Sequence, residues 1–137
     1  MKCIEIFKDE FEVILEVGKK DQNLSELMSP EVWINQINEA LTAEVDYVVL
    51  EGRESSSSGI FRPNGELRKG LLIEIKAHCN IEKLIFEVPC TKDQVDILEL
   101  YGEPVGFGNI SICEVIKLKA LIFGLRGDTI GYAKVKW

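Results

Sequence analysis

The amino-acid sequence predicts an α/β fold built on a parallel sheet, and three observations carry that reading. Three segments, VILE at 13–16, VVLE at 48–51 and LIFE at 84–87, each run apolar for three residues and end on a glutamate. Successive apolar residues imply burial on both faces, as in strands of a parallel sheet covered by helices. The glutamates, Glu16, Glu51 and Glu87, lie 35 and 36 positions apart, about one strand, loop and helix unit, so the chain reads as a weak repeat of βα modules. Helix signals fill the intervals.

Taken in order, residues 1–10 read as the tail of a helix with no strand before it. After the first strand, Ser29-Pro30 is a helix opening, Ser as N-cap and Pro at the first helical position. Trp33, Ile37, Ala40 and Leu41 follow at helical spacing as a buried stripe. Beyond the third strand, Thr91 and Gln94 have the spacing of a capping box, Val95, Leu98 and Tyr101 are the inward face, and Gly102 ends the helix. Residues 105–110 form a short fourth strand weakened by Gly106 and Gly108. Ser111 with Glu114 opens a last helix whose buried face is Val115, Leu118 and Ile122, and Gly124 closes it. The tail GYAKVKW departs from a helical pattern and has no functional reading.

Composition bounds the function. With 137 residues, 46% of them hydrophobic and 28% charged, residues 1–137 read as a single globular domain. A formal charge of −7 without a basic cluster argues against nucleic acid or an anionic membrane as partner, so an anionic substrate needs local positive groups. Cys3, Cys79, Cys90 and Cys113 are scattered and form no CxxC pair, which argues against zinc and redox sites and for a reduced, cytoplasmic setting. The first residues lack a signal-type apolar run, and no segment approaches the roughly 20 apolar residues of a membrane span.

In parallel α/β proteins the site lies at the carboxyl ends of the strands. A glutamate ending each of three strands sends three carboxylates to one mouth, where like charges raise one another's pKa unless a cation intervenes. Magnesium suits such oxygen ligands; alternatively Lys19, Lys20 and Arg53 neutralise the carboxylates without a metal. The loop at 55–66, rich in Ser, Gly, Pro and Asn-Gly, reads as a flexible connection and a lid over the site. His78 reads as a helix-end residue with no triad partner.

EVGKK at 16–20, EGRES at 51–55, KLIFEVP at 83–89, GNI at 108–110 and GLRGDT at 124–129 together resemble the phosphosulfolactate synthase family of coenzyme M biosynthesis, to which a plant heat-stress-associated protein is also related. The resemblance runs over nearly the whole chain but over only half the family's fold. It implies the C-terminal half of a TIM (β/α)8 barrel, four parallel βα units. A barrel takes about 250 residues and closes only with all eight strands, so the chain is a fragment, or two copies associate, or the sheet rearranges.

The resemblance further implies magnesium-dependent addition of sulfite to the methylene carbon of phosphoenolpyruvate, giving 2-phospho-3-sulfolactate. Glu51 and Glu87, with Glu16 behind them, are the metal ligands or anchors of metal-bound water. Lys20 or Lys19 is the general acid, with a pKa depressed by neighbouring cations. Gly108, Asn109 and the helix start near Ser111 grip phosphate through backbone N–H groups. Arg53 and Arg126 offer forked donors to phosphate or sulfite, or else pair with Glu54 and Asp128. The alternative function is a non-catalytic half-barrel remnant or an interaction or stress-related protein of the same family.

Overall fold

The computed structural model describes residues 2–52, 56–102 and 105–130. Four strands, β1 (Ile14–Val17), β2 (Tyr47–Leu50), β3 (Leu84–Glu87) and β4 (Gly106–Gly108), form one sheet in the order β1-β2-β3-β4. All three pairings are parallel. A short helix α1 (Lys2–Phe7) precedes β1, and α2 (Gln22–Leu27) with α3 (Pro30–Thr42) links β1 to β2. Helix α4 (Lys69–His78) leads to β3, α5 (Thr91–Tyr101) to β4, and α6 (Val115–Ile122) follows β4. The sheet has not rearranged: it is the α/β half barrel of four parallel βα units that the sequence implied.

Alternation along the strands decides which face is covered. Val48, Leu50, Leu84 and Phe86 point into the core, where they meet Trp33 and Ile37 of α3, Leu72 and Ile75 of α4, and Ile97 of α5. Tyr47, Val49 and Ile85 occupy the alternate positions and are only half-buried. Burial on both faces, expected from the apolar runs, therefore holds for one face only. In a closed barrel the other face is filled by residues from all eight strands; four strands leave it open.

Local signals explain most helix boundaries. Ser29 Oγ accepts from Val32 N at 3.4 Å, Pro30 opens α3, and Trp33, Ile37 and Ala40 form its buried stripe with Leu41 half-buried. Gly102 ends α5 at φ 71°, with its N–H on Leu98 O. Tyr101 packs its ring on Phe86 at 4.8 Å and donates its hydroxyl to Leu72 O at 2.6 Å, tying α5 to both sheet and α4. His78 ends α4 with Nδ1 2.9 Å from Glu74 O, the helix-end role anticipated for it.

Two openings differ from expectation. Cys90, not Thr91, is the N-cap of α5 and makes no side-chain cap; Gln94 donates instead to Val88 O at 3.0 Å. A buried carbonyl at the strand end competes successfully for the Gln94 amide, and the inward face becomes Ile97, Leu98 and Tyr101, with Val95 half-buried. Ser111 likewise makes no side-chain cap, because Ile112–Glu114 forms a 3-10 turn. Its three residues per turn shift the helical phase, so Leu118 and Leu121 are buried in α6, while Val115 is exposed and Ile122 half-buried.

Candidate active site

Strand register sets the heights of the three glutamates. Leu50 pairs with Phe86 and Glu87 with Gly108, so Glu51, next after Leu50, arrives level with Glu87 and Gly108. Glu16 pairs with Val49, two positions lower, and Gly18 takes the level of Glu51 in the first unit. The three glutamates are therefore not at matching heights, as equal spacing suggested. They still meet, because side chains two positions apart on a strand share a face.

Glu51 is the centre of the group, 1% exposed. Its N–H donates to Val17 O at 2.9 Å, and its carbonyl accepts from Ile60 N at 2.8 Å. Two glycines allow this packing. A Cβ on Gly18, at φ +131°, would lie 2.6 Å from Glu51 Cβ and 2.8 Å from the Trp33 ring; one on Gly59, at φ +67°, would lie 1.7 Å from Glu51 O. Glu87 reaches the same rim, its Oε2 accepting from Gly52 N at 3.4 Å.

Lys20 bridges the carboxylates: its Nζ lies 3.5 Å from Glu16 Oε1 and 3.6 Å from Glu51 Oε2. Burial holds the Glu51 carboxyl above the usual carboxylate range, reinforced by the hydrogen bond to Glu16 and by the charges of Glu16 and Glu87, with Lys20 opposing. The same pairing, first with Glu16 and then with Glu51, raises Lys20. A lysine depressed by neighbouring cations was the expectation; its neighbours are anions, and it stays firmly protonated. Both lysines are exposed, and it is Lys20 whose Nζ lies between Glu16 and Glu51.

The remaining sequence candidates divide. Gly108 stands beside Glu87 in the ladder, and Asn109 follows it exposed at φ 57°. The turn after Ser111 is the 3-10 segment rather than the first turn of an α-helix. Arg126 lies beyond α6, paired with Asp128 at 3.2 Å. Arg53 lies outside the described residues, as does the tail at 131–137. Among the described residues no group of three His, Cys, Asp or Glu side chains is arranged to hold a metal ion. Cys79, Cys90 and Cys113 are free thiols.

The loop after β2 was misread as a flexible connection. Ile60 and Phe61 are fully buried, Phe61 bridges Leu67 in antiparallel fashion, and Arg62 N donates to Glu66 O at 2.8 Å. Asn64-Gly65 between those residues is a hairpin signature that marked this order in the sequence. Ser25 and Arg68, which no motif singled out, anchor the loop over Glu51. Ser25 Oγ accepts from Gly59 N at 2.7 Å. The Arg68 guanidinium donates to the carbonyls of Ser25, Gly59 and Met28 at 3.1, 3.2 and 3.0 Å.

A parallel half barrel with a lysine and three carboxylates gathered at the carboxyl ends of its strands defines the class: a (β/α)-barrel fold with its polar group where such folds place their chemistry. Residues 1–128 match the model of the family described as (2R)-phospho-3-sulfolactate synthase (ComA), and the chain belongs to that family. It is similar to the phosphosulfolactate synthase of Methanocaldococcus jannaschii, 39% identical over 122 residues covering 88% of this chain and 49% of the relative. The phosphosulfolactate synthase of Bacillus subtilis is 37% identical over 124 residues, 90% of this chain and 49% of the relative. That of Methanothermobacter thermautotrophicus is 34% identical over 134 residues, 95% of this chain and 52% of the relative. The chain thus spans about half the length of the curated relatives it matches. Among the described residues no helix is long and apolar enough to cross a membrane.

Proposed function

We propose that this chain carries one half of a phosphosulfolactate synthase rim and that, with the barrel completed, it adds sulfite to the methylene carbon of phosphoenolpyruvate to give 2-phospho-3-sulfolactate. The carrying observation is Lys20 held between Glu16 and Glu51 at the strand ends, in a chain of this family. Attack by sulfite on the methylene carbon builds negative charge at the substrate carboxylate, and the adjacent carbon then takes up a proton. Lys20, kept charged by its two carboxylates, attracts and orients the anionic substrate and stands ready as proton donor. Gly108 and Asn109, beside Glu87 in the ladder, are the proposed backbone contacts to phosphate.

Magnesium is the proposed cofactor. The donor set fits: Glu51 and Glu87 are oxygen donors at one level, and magnesium is commonly held by one or two carboxylates with water and substrate oxygens completing its shell. Glu51 and Glu87 would hold it, with Glu16 behind them, and when bound it would supply positive charge against the enolate-like carboxylate. The proposed setting is the cytoplasm, with no nucleic-acid or membrane partner.

The test is an assay of the purified chain with sulfite, phosphoenolpyruvate and magnesium, alone and mixed with the complementary half of one of the longer relatives. Product formed only when the barrel is complete, and lost in Lys20→Ala, supports the reading; a completed barrel with no turnover removes it. The half-buried sheet face favours the second reading, a non-catalytic half barrel acting in an interaction or stress-related role, which that outcome would leave standing.

A further inference from the structure

Lys20 reaches the rim from a turn that brings the chain close against Glu51. Gly18, at φ +131° and with a Cβ position 2.6 Å from Glu51 Cβ, carries the backbone off the end of β1. The ammonium of Lys20, two residues on, then lies 3.5 Å from Glu16 Oε1 and 3.6 Å from Glu51 Oε2. The two carboxylates differ in their surroundings: the Glu51 side chain is 2% exposed and that of Glu16 43%. A carboxylate as buried as Glu51 needs positive charge close by, whereas Glu16 can rely on water.

The charge that Lys20 brings is easily withdrawn. Both contacts are longer than the roughly 2.7–2.9 Å of a close charged hydrogen bond. The side chain is 68% exposed, and an ammonium on a flexible four-carbon stem is strongly hydrated, so leaving Glu51 costs it little. A divalent cation on Glu51 would stand about 2 Å from a carboxylate oxygen. Carrying twice the charge, it would repel an ammonium held 3.6 Å from the same carboxylate. The two cations compete for Glu51. With Lys20 between them, Glu16 and Glu51 do not close on a common ion, and among the described residues no three His, Cys, Asp or Glu side chains do.

We infer that Lys20 is an exchangeable counter-ion: its ammonium holds the place beside Glu51 until a divalent cation takes it, and then gives up Glu51 while keeping Glu16. Glu16 suits the second part, since it lies on β1 four residues before Lys20 and two levels below Glu51, apart from the pair Glu51 and Glu87. Metal loading and the release of Lys20 from Glu51 are then one event, so the lysine turns to an anionic substrate only where the metal already stands. By linkage, whatever removes Lys20 from Glu51 strengthens metal binding by the same factor. This rests on the magnesium site proposed above, and its test reads binding instead of turnover.

Manganese is the probe, its free concentration read by electron paramagnetic resonance on the full chain at about pH 8, well above the ordinary carboxylate range. The parent should bind it and Glu51→Gln should lose it. Lys20→Met should bind it about threefold more tightly or better, with circular dichroism unchanged. Lys19→Met removes the same charge one residue away, exposed to solvent, and should change the affinity by less than about twofold. In the parent, saturating magnesium should shift the NMR signals of the Lys20 ammonium and its Cε and leave those of Lys19 in place. Manganese bound by the parent and no more tightly by Lys20→Met overturns the exchange and leaves the metal site standing. So do equal gains in the two lysine variants, which report overall charge, and Lys20 signals that do not move. Manganese bound by none of these chains, or held undiminished in Glu51→Gln, removes the metal site itself and the exchange with it.

Discussion

Lys20 sits between two carboxylates that would otherwise repel, and its removal has a readable consequence. In Lys20→Ala the Glu51 carboxyl loses an opposing positive charge and should titrate higher than in the parent, seen as an upward move of its midpoint in carbon-detected NMR. Glu51→Gln acts on stability. A carboxyl raised in the folded state binds its proton more tightly there than when unfolded, so its favourable contribution is complete below the ordinary carboxylate range and is lost as pH rises through the raised value. At neutral pH the parent carries the cost of a buried charge that the amide avoids. Urea unfolding should therefore find Glu51→Gln gaining on the parent as pH rises from the ordinary carboxylate range towards neutrality. A constant difference across that range would assign no titration to this group.

Elements are joined around Glu51 by the hairpin-like loop between β2 and α4. Gly59→Ala must place a methyl group against the Glu51 carbonyl at a left-handed backbone position and should destabilise by roughly 2–4 kcal/mol. Gly70→Ala is its control: the same change in α4, with nothing within 4 Å, should be neutral to stabilising by up to about 1 kcal/mol. Arg68→Ala leaves the carbonyls of Gly59 in this loop and of Ser25 and Met28 at α2 without their charged donor and should cost about 1.5–3 kcal/mol. Hydrogen exchange at Gly59 and Ile60 should accelerate in that variant more than at Phe86 in the sheet; equal acceleration at all three would mean that the guanidinium supports the whole core and not this loop.

For the whole molecule, the decisive quantity is the number of strands around the rim. Among the described residues four parallel strands bury one face completely and leave the other half-buried, so this chain supplies half of a barrel's rim. Turnover of sulfite and phosphoenolpyruvate should accordingly follow the completed eight-stranded species across a concentration series, and fall by at least about 100-fold in Glu51→Gln, since preorganised charge is commonly worth that much or more. Activity proportional to the single-chain species would place the whole chemistry in the half barrel.

Much of this molecule was readable before folding because the signals are local. Apolar runs, Ser29-Pro30 and Gly102 act through backbone geometry and neighbours within one turn, so the strand and helix succession, and the resemblance that located Glu16, Glu51, Glu87 and Lys20, needed no tertiary information. Register did need it: the two-step offset of Glu16 depends on which carbonyls β1 and β2 share, and a spacing of 35 positions carries no record of that. The environment of Lys20 was decided the same way, since a pKa is set by charges a few ångströms off in space, and these came from two different strands. Arg68 and Ser25 gained their roles only when chain segments 34 to 43 positions apart closed over Glu51. What the chain itself determined was the inventory of elements and the acidic rim; packing alone decided heights, partners and which lysine lies between the carboxylates, because those follow from distances between residues remote in sequence.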